Sequence, residues 1–192
     1  MQLKARALFQ LDDFDRCIEY INSFPENVQN NKGVMMAKAR ALQAKGHLTE
    51  ALPLFQSLYT NYSAHPHDEK NHGLALGRHL QLIGGADNLR AGLNIYTQLR
   101  TRAAGGIADT PCGDKDIELT LGRHLQVMGG AGNLRKALHI YTQLRTRAAG
   151  GRENTPCDDK EIELALGRSF QLLRGPENLR AALAIYTRLR TR

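Results

Sequence analysis

Gly77, Gly122 and Gly167 sit at the same place in one hexapeptide that recurs every 45 residues without slippage. Leu76-Gly77-Arg78-His79-Leu80-Gln81 returns as Leu121-Gly122-Arg123-His124-Leu125-Gln126, and again as Leu166-Gly167-Arg168-Ser169-Phe170-Gln171. A fixed period of this size marks a stacked array, in which each unit buries its apolar face only against its neighbours. The chain is thereby confined to a repeat architecture, and an enzyme is disfavoured.

Inside each 45-residue unit the apolar residues follow helical spacing. Ile162, Leu164, Leu166, Phe170 and Leu173 outline one helix, and Leu179, Leu183, Ile185, Tyr186 and Leu189 a second. Thr155 with Pro156 and Asp158 reads as an N-cap, a first-turn proline and a capping box. Gly175-Pro176-Glu177 separates the helices, with Asn178 as the expected cap of the second. Ala-Ala-Gly-Gly at 103–106 and 148–151 stops the second helix of the two preceding copies. Each unit is helix, short turn, helix, longer loop. The third and fourth units share most of their residues, which points to a recent duplication.

The first 70 residues obey the same plan at a shorter step, since Cys17 aligns with Ala51, 34 residues on. That step is the tetratricopeptide period. Leu121-Gly122-x2-Leu125 with Ala137-x3-Tyr141, Leu166-Gly167-x2-Phe170 with Ala182-x3-Tyr186, and Ala51-x3-Phe55 resemble the tetratricopeptide pattern. The tryptophan position of that pattern holds Gly73, Glu118 and Glu163, and the closing proline is replaced by the glycine stop. The resemblance implies an all-α, right-handed solenoid of about ten helices. Its five units run approximately 1–31, 32–65, 66–110, 111–155 and 156–192, forming a single array over residues 1–192. The absence of a polar closing helix suggests a piece of a longer array. It also suggests head-to-tail self-association through uncapped ends.

Composition narrows the chemistry. Net charge is +7, with 26 Lys and Arg spread through the repeats, which suits acidic peptides or nucleic acid. No apolar run is long enough to span a bilayer, the first residues lack a signal core, and three cysteines suit a reducing compartment. The expectation is a cytoplasmic protein without membrane contact. Cys112 and Cys157 stand at equivalent sites about a helix-packing distance apart, roughly 10 Å, too far for a disulfide. They read as plain first-turn residues, and Cys17 as a buried packing residue. The cluster His65, His67, Asp68 and His72 has ligand chemistry but lacks counterparts in the other repeats, so no metal is expected. Gly129-Gly130-Ala131-Gly132-Asn133 reads as an inter-helix turn and not a phosphate loop. His79 and His124 read as packing groups, and no cofactor is expected.

One pair of rows stands out as a candidate binding surface. Arg6, Arg40, Arg78, Arg123 and Arg168 occupy one site per unit, followed three residues later by Phe9, Gln43, Gln81, Gln126 and Gln171. Residues three apart share a helix face. The tetratricopeptide resemblance implies that this face lines the concave groove. The expected partner-binding residues are Arg40, Gln43, Arg78, Gln81, Arg123, Gln126, Arg168 and Gln171. The expected partner is an acidic or extended protein segment, because arginine forks bind carboxylates. Single-stranded RNA is the alternative, disfavoured by the lack of stacking aromatics. A structural spacer is the third reading. In the bland interpretation the arginines knit the stack by pairing with Asp116, Glu118, Glu161 and Glu163. A second basic row, Arg100/Arg102, Arg145/Arg147 and Arg190/Arg192, is expected on a solvated face.

Overall fold

The computed structural model describes residues 2–62, 64–153 and 155–191, with no side-chain description for 2, 3 and 6. The elements are α1 (Gln2–Gln10), α2 (Phe14–Asn22), α3 (Glu26–Gln29), α4 (Lys32–Ala44), α5 (Leu48–Asn61), α6 (Pro66–Ile83), α7 (Ala86–Ala103), α8 (Lys115–Met128), α9 (Ala131–Ala148), α10 (Lys160–Leu173) and α11 (Pro176–Arg190). No strand occurs among the described residues. Ten of these helices are the expected repeat helices. The eleventh, α3, is a single turn in the loop before α4.

The chain divides into two compact units, Met1–Gly92 and Leu93–Arg192. In the first, α1, α2 and α4 pack together, α4 packs on α5, and α5 on α6. Cys17 and Ile21 are fully buried there, with Ala5, Val34 and Ala41 in the same cluster. In the second, α8 packs on α9, α10 on both α8 and α9, and α11 on α10. Its core includes Ile117, Leu121, Leu125, Ala137, Tyr141, Ile162 and Leu166.

The turns are built by repeated devices. The Ala-Ala-Gly-Gly stops form paired hydrogen bonds: Gly106 N–H donates to Thr101 O at 2.8 Å and Gly105 N–H to Arg102 O at 3.0 Å. Both glycines have positive φ (73° and 89°), as this closing geometry requires. At the short turns, Asn88, Asn133 and Asn178 donate side-chain N–H to the carbonyls of Gly84, Gly129 and Arg174. Asn178 thus lies one turn inside α11 and staples the turn; it is not the expected N-cap, because α11 already starts at Pro176.

The first helices of the last two repeats also begin later than the sequence suggests. Asp114 and Asp159, not Thr110 and Thr155, are the N-caps, each accepting from two amides of the first turn. A carboxylate at that site outcompetes the earlier threonine for the amides and the positive helix end. Thr155, Pro156 and Cys157 therefore lie in the loop. Only at α6 does proline open a first helix, as Pro66.

Candidate functional site

The glycine of the hexapeptide exists because an aromatic ring lies on the backbone. A Cβ built on Gly122 would come within 2.6 Å of the Tyr141 ring, and one on Gly167 within 2.8 Å of Tyr186. The second helix thus fits tightly against the first and fixes which way its neighbours point. Arg40, Arg78, Arg123 and Arg168 are all exposed. The next residue in each unit is buried: Ala41, His79, His124 and Ser169 are each fully enclosed.

Those buried residues join repeats. The His79 ring contacts the Phe55 ring at 4.7 Å, and His124 meets Tyr96 edge-on at 5.1 Å. His79 Nε2–H donates to Leu48 O at 2.8 Å, and its Nδ1 accepts from Gln43 Nε2 at 2.9 Å. Both ring nitrogens are satisfied in the neutral form, and burial holds the pKa below its usual 6.5. Gln126 Nε2 likewise donates to Ser169 Oγ at 2.8 Å and Ala165 O at 3.1 Å. Gln43 and Gln126 are therefore half-buried clamps between adjacent first helices. Gln81 is half-buried as well. Gln171 is exposed and accepts from its own repeat's Tyr186 hydroxyl at 3.3 Å.

The arginines have a different setting. In the first unit, Arg40 and Arg78 line one cleft of about 440 Å³ between α4 and α6, together with Lys32, Met36 and Ala75. Asp68, also on the wall, is held by Lys32 at 2.8 Å, and that hydrogen bond lowers its pKa. In the second unit Arg123 pairs with Glu161 at 2.7 Å, each side chain about half exposed at 46% and 48%. Lys115 bridges Asp159 at 2.5 Å and Glu161 at 3.2 Å. Four residues beyond each arginine of the 45-residue repeats stands an exposed apolar side chain: Leu82 (60%), Val127 (52%) and Leu172 (41%). Arginine and apolar residue lie one turn apart on the same face. The side chain of Arg6 lies outside the described residues.

Two buried carboxylates, read from the sequence as possible partners of the first-helix arginines, take other partners. Glu118 Oε1 accepts from Arg100 Nε at 2.9 Å and from the Cys112 amide at 2.7 Å. Glu163 accepts from the Cys157 amide at 3.0 Å and from Arg188. These acids stand at the tryptophan position and tie the loop to the helices. They pair with second-helix arginines, while on the first helices Arg123 pairs with Glu161. The inner member of the second basic row, Arg100, is turned inward; Arg102 and Arg147 are exposed, and Arg192 lies outside the described residues. Register alone does not signal this pairing, since Glu118 takes Arg100 whereas its counterpart Glu163 takes Arg188.

Cys112 and Cys157 are buried loop thiols, each donating to a carbonyl two residues on at 3.7 Å; burial raises their pKa. Cys17 donates to Ala5 O at 3.3 Å. His72 is buried, His67 contacts Asn71 and His65 precedes α6. No group of three His, Cys, Asp or Glu suited to a metal occurs among the described residues. No helix among them is long and apolar enough to cross a membrane.

No family model and no curated protein matches the sequence. Solved structures do match the fold, and two of them illustrate it. One is a Podosopora anserina chain described as kinesin light chain nearly identical TPR-like repeats, with TM-score 0.69 at 18% identity, covering 98% of this chain and 94% of that one. The other is a single-residue variant of that array, with TM-score 0.74 at 14% identity, covering 99% and 91%. The chain has the fold of a TPR-like helical repeat protein.

Proposed function

We propose that the chain is a protein-interaction scaffold that holds an acidic, partly apolar segment of a partner on the exposed face of its first helices, through Arg40, Arg78, Arg123 and Arg168. The observation that carries this is the cleft in which Arg40 and Arg78 converge beside Met36. Two guanidinium groups in a cleft that also holds Met36, Leu74 and Ala75 match carboxylates on an amphipathic segment. The second unit repeats the chemistry with Arg123 beside Val127 and Arg168 beside Leu172. Gln43 and Gln126 set the spacing of this surface by clamping neighbouring helices, and Gln81 and Gln171 stand at the same position in their repeats. The buried histidines and glutamates have structural partners, which fits a scaffold and not a catalyst. Three buried thiols and a net charge of +7 fit a cytoplasmic protein with acidic partners.

The test is fluorescence anisotropy with three labelled probes of equal length: an Asp/Glu-Leu peptide, poly-glutamate and single-stranded RNA, each over a salt series. The amphipathic peptide should bind most tightly and keep part of its affinity at high salt, because its apolar contacts are unscreened. Tightest binding by RNA, with a steep loss in salt, would replace this reading with nucleic-acid binding.

A further inference from the structure

We propose that the cavity lined by α7, α8 and α9 is a binding site for a small amphipathic anion, a single alkyl or aryl chain carrying a phosphate or carboxylate head. The cavity has a volume of about 620 Å³, and small-molecule sites span about 300–1,000 Å³. All the residues that line it belong to the second compact unit. Its base is apolar. Leu121 and Leu125 of α8 are 4% and 3% exposed, and Leu93 of α7 and Ile140 of α9 extend the same surface. Such a base suits a hydrocarbon body and offers nothing to a bare inorganic ion.

The polar groups on the wall choose the sign of the head. Arg135, Lys136 and His139 of α9 are exposed and line the cavity. Neither Arg135 nor Lys136 makes an ion pair among the described residues. Arg100, also on the wall, is already neutralised by Glu118 at 2.9 Å. Thr97 and Thr101 of α7 add hydroxyl donors. Asp109, in the loop after α7, is the acid on the wall. Two uncommitted cations against one carboxylate leave a positive balance, which a single anionic head neutralises.

The sequence singles out the same place by a separate route. Residues 88–106 and 133–151 are two copies of a second helix and its glycine stop, and they differ at three positions. Ala91 becomes Lys136, Gly92 becomes Ala137 and Asn94 becomes His139. Ala137 is fully buried and serves packing. The other two departures both introduce a basic side chain, lie three residues apart on one helix face, and line this cavity. The last repeat has Ala181 and Ala184 at these positions, so the basic pair belongs to α9 alone among the three 45-residue units.

The experiment is isothermal titration of the full chain with decyl phosphate below its micellar concentration, beside decanoate, inorganic phosphate and decyltrimethylammonium. Saturable one-to-one binding is expected of decyl phosphate and decanoate, and none of inorganic phosphate or the cationic amphiphile. Hexyl phosphate should bind at least about tenfold more weakly than decyl phosphate, since each buried methylene contributes roughly fourfold. Lys136→Ala with His139→Asn installs what α7 carries at those positions, so the helix keeps a sequence that already folds in this setting. That variant should bind decyl phosphate about three- to tenfold more weakly at unchanged Tm. Asp109→Asn should tighten binding, and asparagine tolerates the positive φ of 56° at this position. An Arg40→Ala, Arg78→Ala chain should bind decyl phosphate unchanged, which separates this site from the first-helix face. Lack of saturable binding by both anionic amphiphiles would overturn the proposal. So would equal binding of the cationic amphiphile, affinity indifferent to both sets of substitutions, or binding to phosphatidylglycerol vesicles without binding to the monomeric amphiphile.

Discussion

Replacing Glu118 by alanine should be among the most damaging single changes in this protein. Its side chain is 2% exposed and that of Arg100 12%, so the pair is almost wholly withdrawn from water. One oxygen serves both the Arg100 guanidinium and the Cys112 amide. Alanine therefore strands a buried cation and orphans a buried N–H. Breaking a buried pair from one side costs about 3–5 kcal/mol, and an unsatisfied amide about 1–3 kcal/mol. The two overlap, because one oxygen makes both contacts. The second oxygen, Oε2, is buried without a partner among the described residues, so the native site already carries a desolvation cost. The lower end, about 3 kcal/mol, is the better figure. In a chain of this size that lowers Tm by about 6–12 °C. The assay is thermal and urea unfolding followed at 222 nm. Glu118→Gln keeps an acceptor for Cys112 and should cost less. Glu118→Leu with Arg100→Met, which removes both charges and fills the space, should recover most of the loss. A Tm within 2 °C of the parent for Glu118→Ala, or a double variant as unstable as the single one, would refute the reasoning.

Gly122→Ala should cost about 1–3 kcal/mol by overpacking against Tyr141, whereas Gly132→Ala, with nothing within 4 Å of its Cβ, should be neutral or stabilising; thermal melting compares them. Arg174 sits at φ 56° and ψ −170°, where Gly84 and Gly129 stand in the other copies, a region that favours glycine. Arg174→Gly should raise stability by about 1 kcal/mol in urea unfolding. Burial holds His72 and His79 below the 6.5 of the exposed ring, so the unfolded chain binds more protons just below that value. Stability should be fully present above pH 6.5 and fall as pH drops toward the folded pKa values. Melts at pH 7.5 and 5.5 should show this, with a shallower slope for His72→Gln, His79→Gln.

The fold was legible in the chain because a repeat states its packing several times over. The period, the glycine stops and the apolar spacing were each sufficient to place a helix pair; why glycine precedes Arg123 and Arg168 emerged only with the second-helix tyrosine ring lying on Gly122 and Gly167. Helix starts were harder to read. Thr155-Pro156 offers a sound local cap, but Asp159 offers a stronger one, and the helix waits for it. The glutamates at the tryptophan position were read as departures from a pattern, because a buried carboxylate reveals itself only when its arginine is brought across from another helix. That Gln43 and Gln126 are turned between helices follows from contacts 36 and 43 residues away in sequence, which local spacing does not encode.

If Arg40 and Arg78 bind a partner, other groups hold the stack. The direct measurement is to take the Arg40→Ala, Arg78→Ala variant and record its Tm and its affinity for the acidic amphipathic peptide on the same sample. Each charge-assisted contact contributes roughly 1.5–3 kcal/mol when shielded from water, so binding should weaken by about a hundredfold or more while Tm moves by no more than 2–3 °C. A large fall in Tm with affinity intact in the folded fraction would mean that these arginines knit the array and bind nothing.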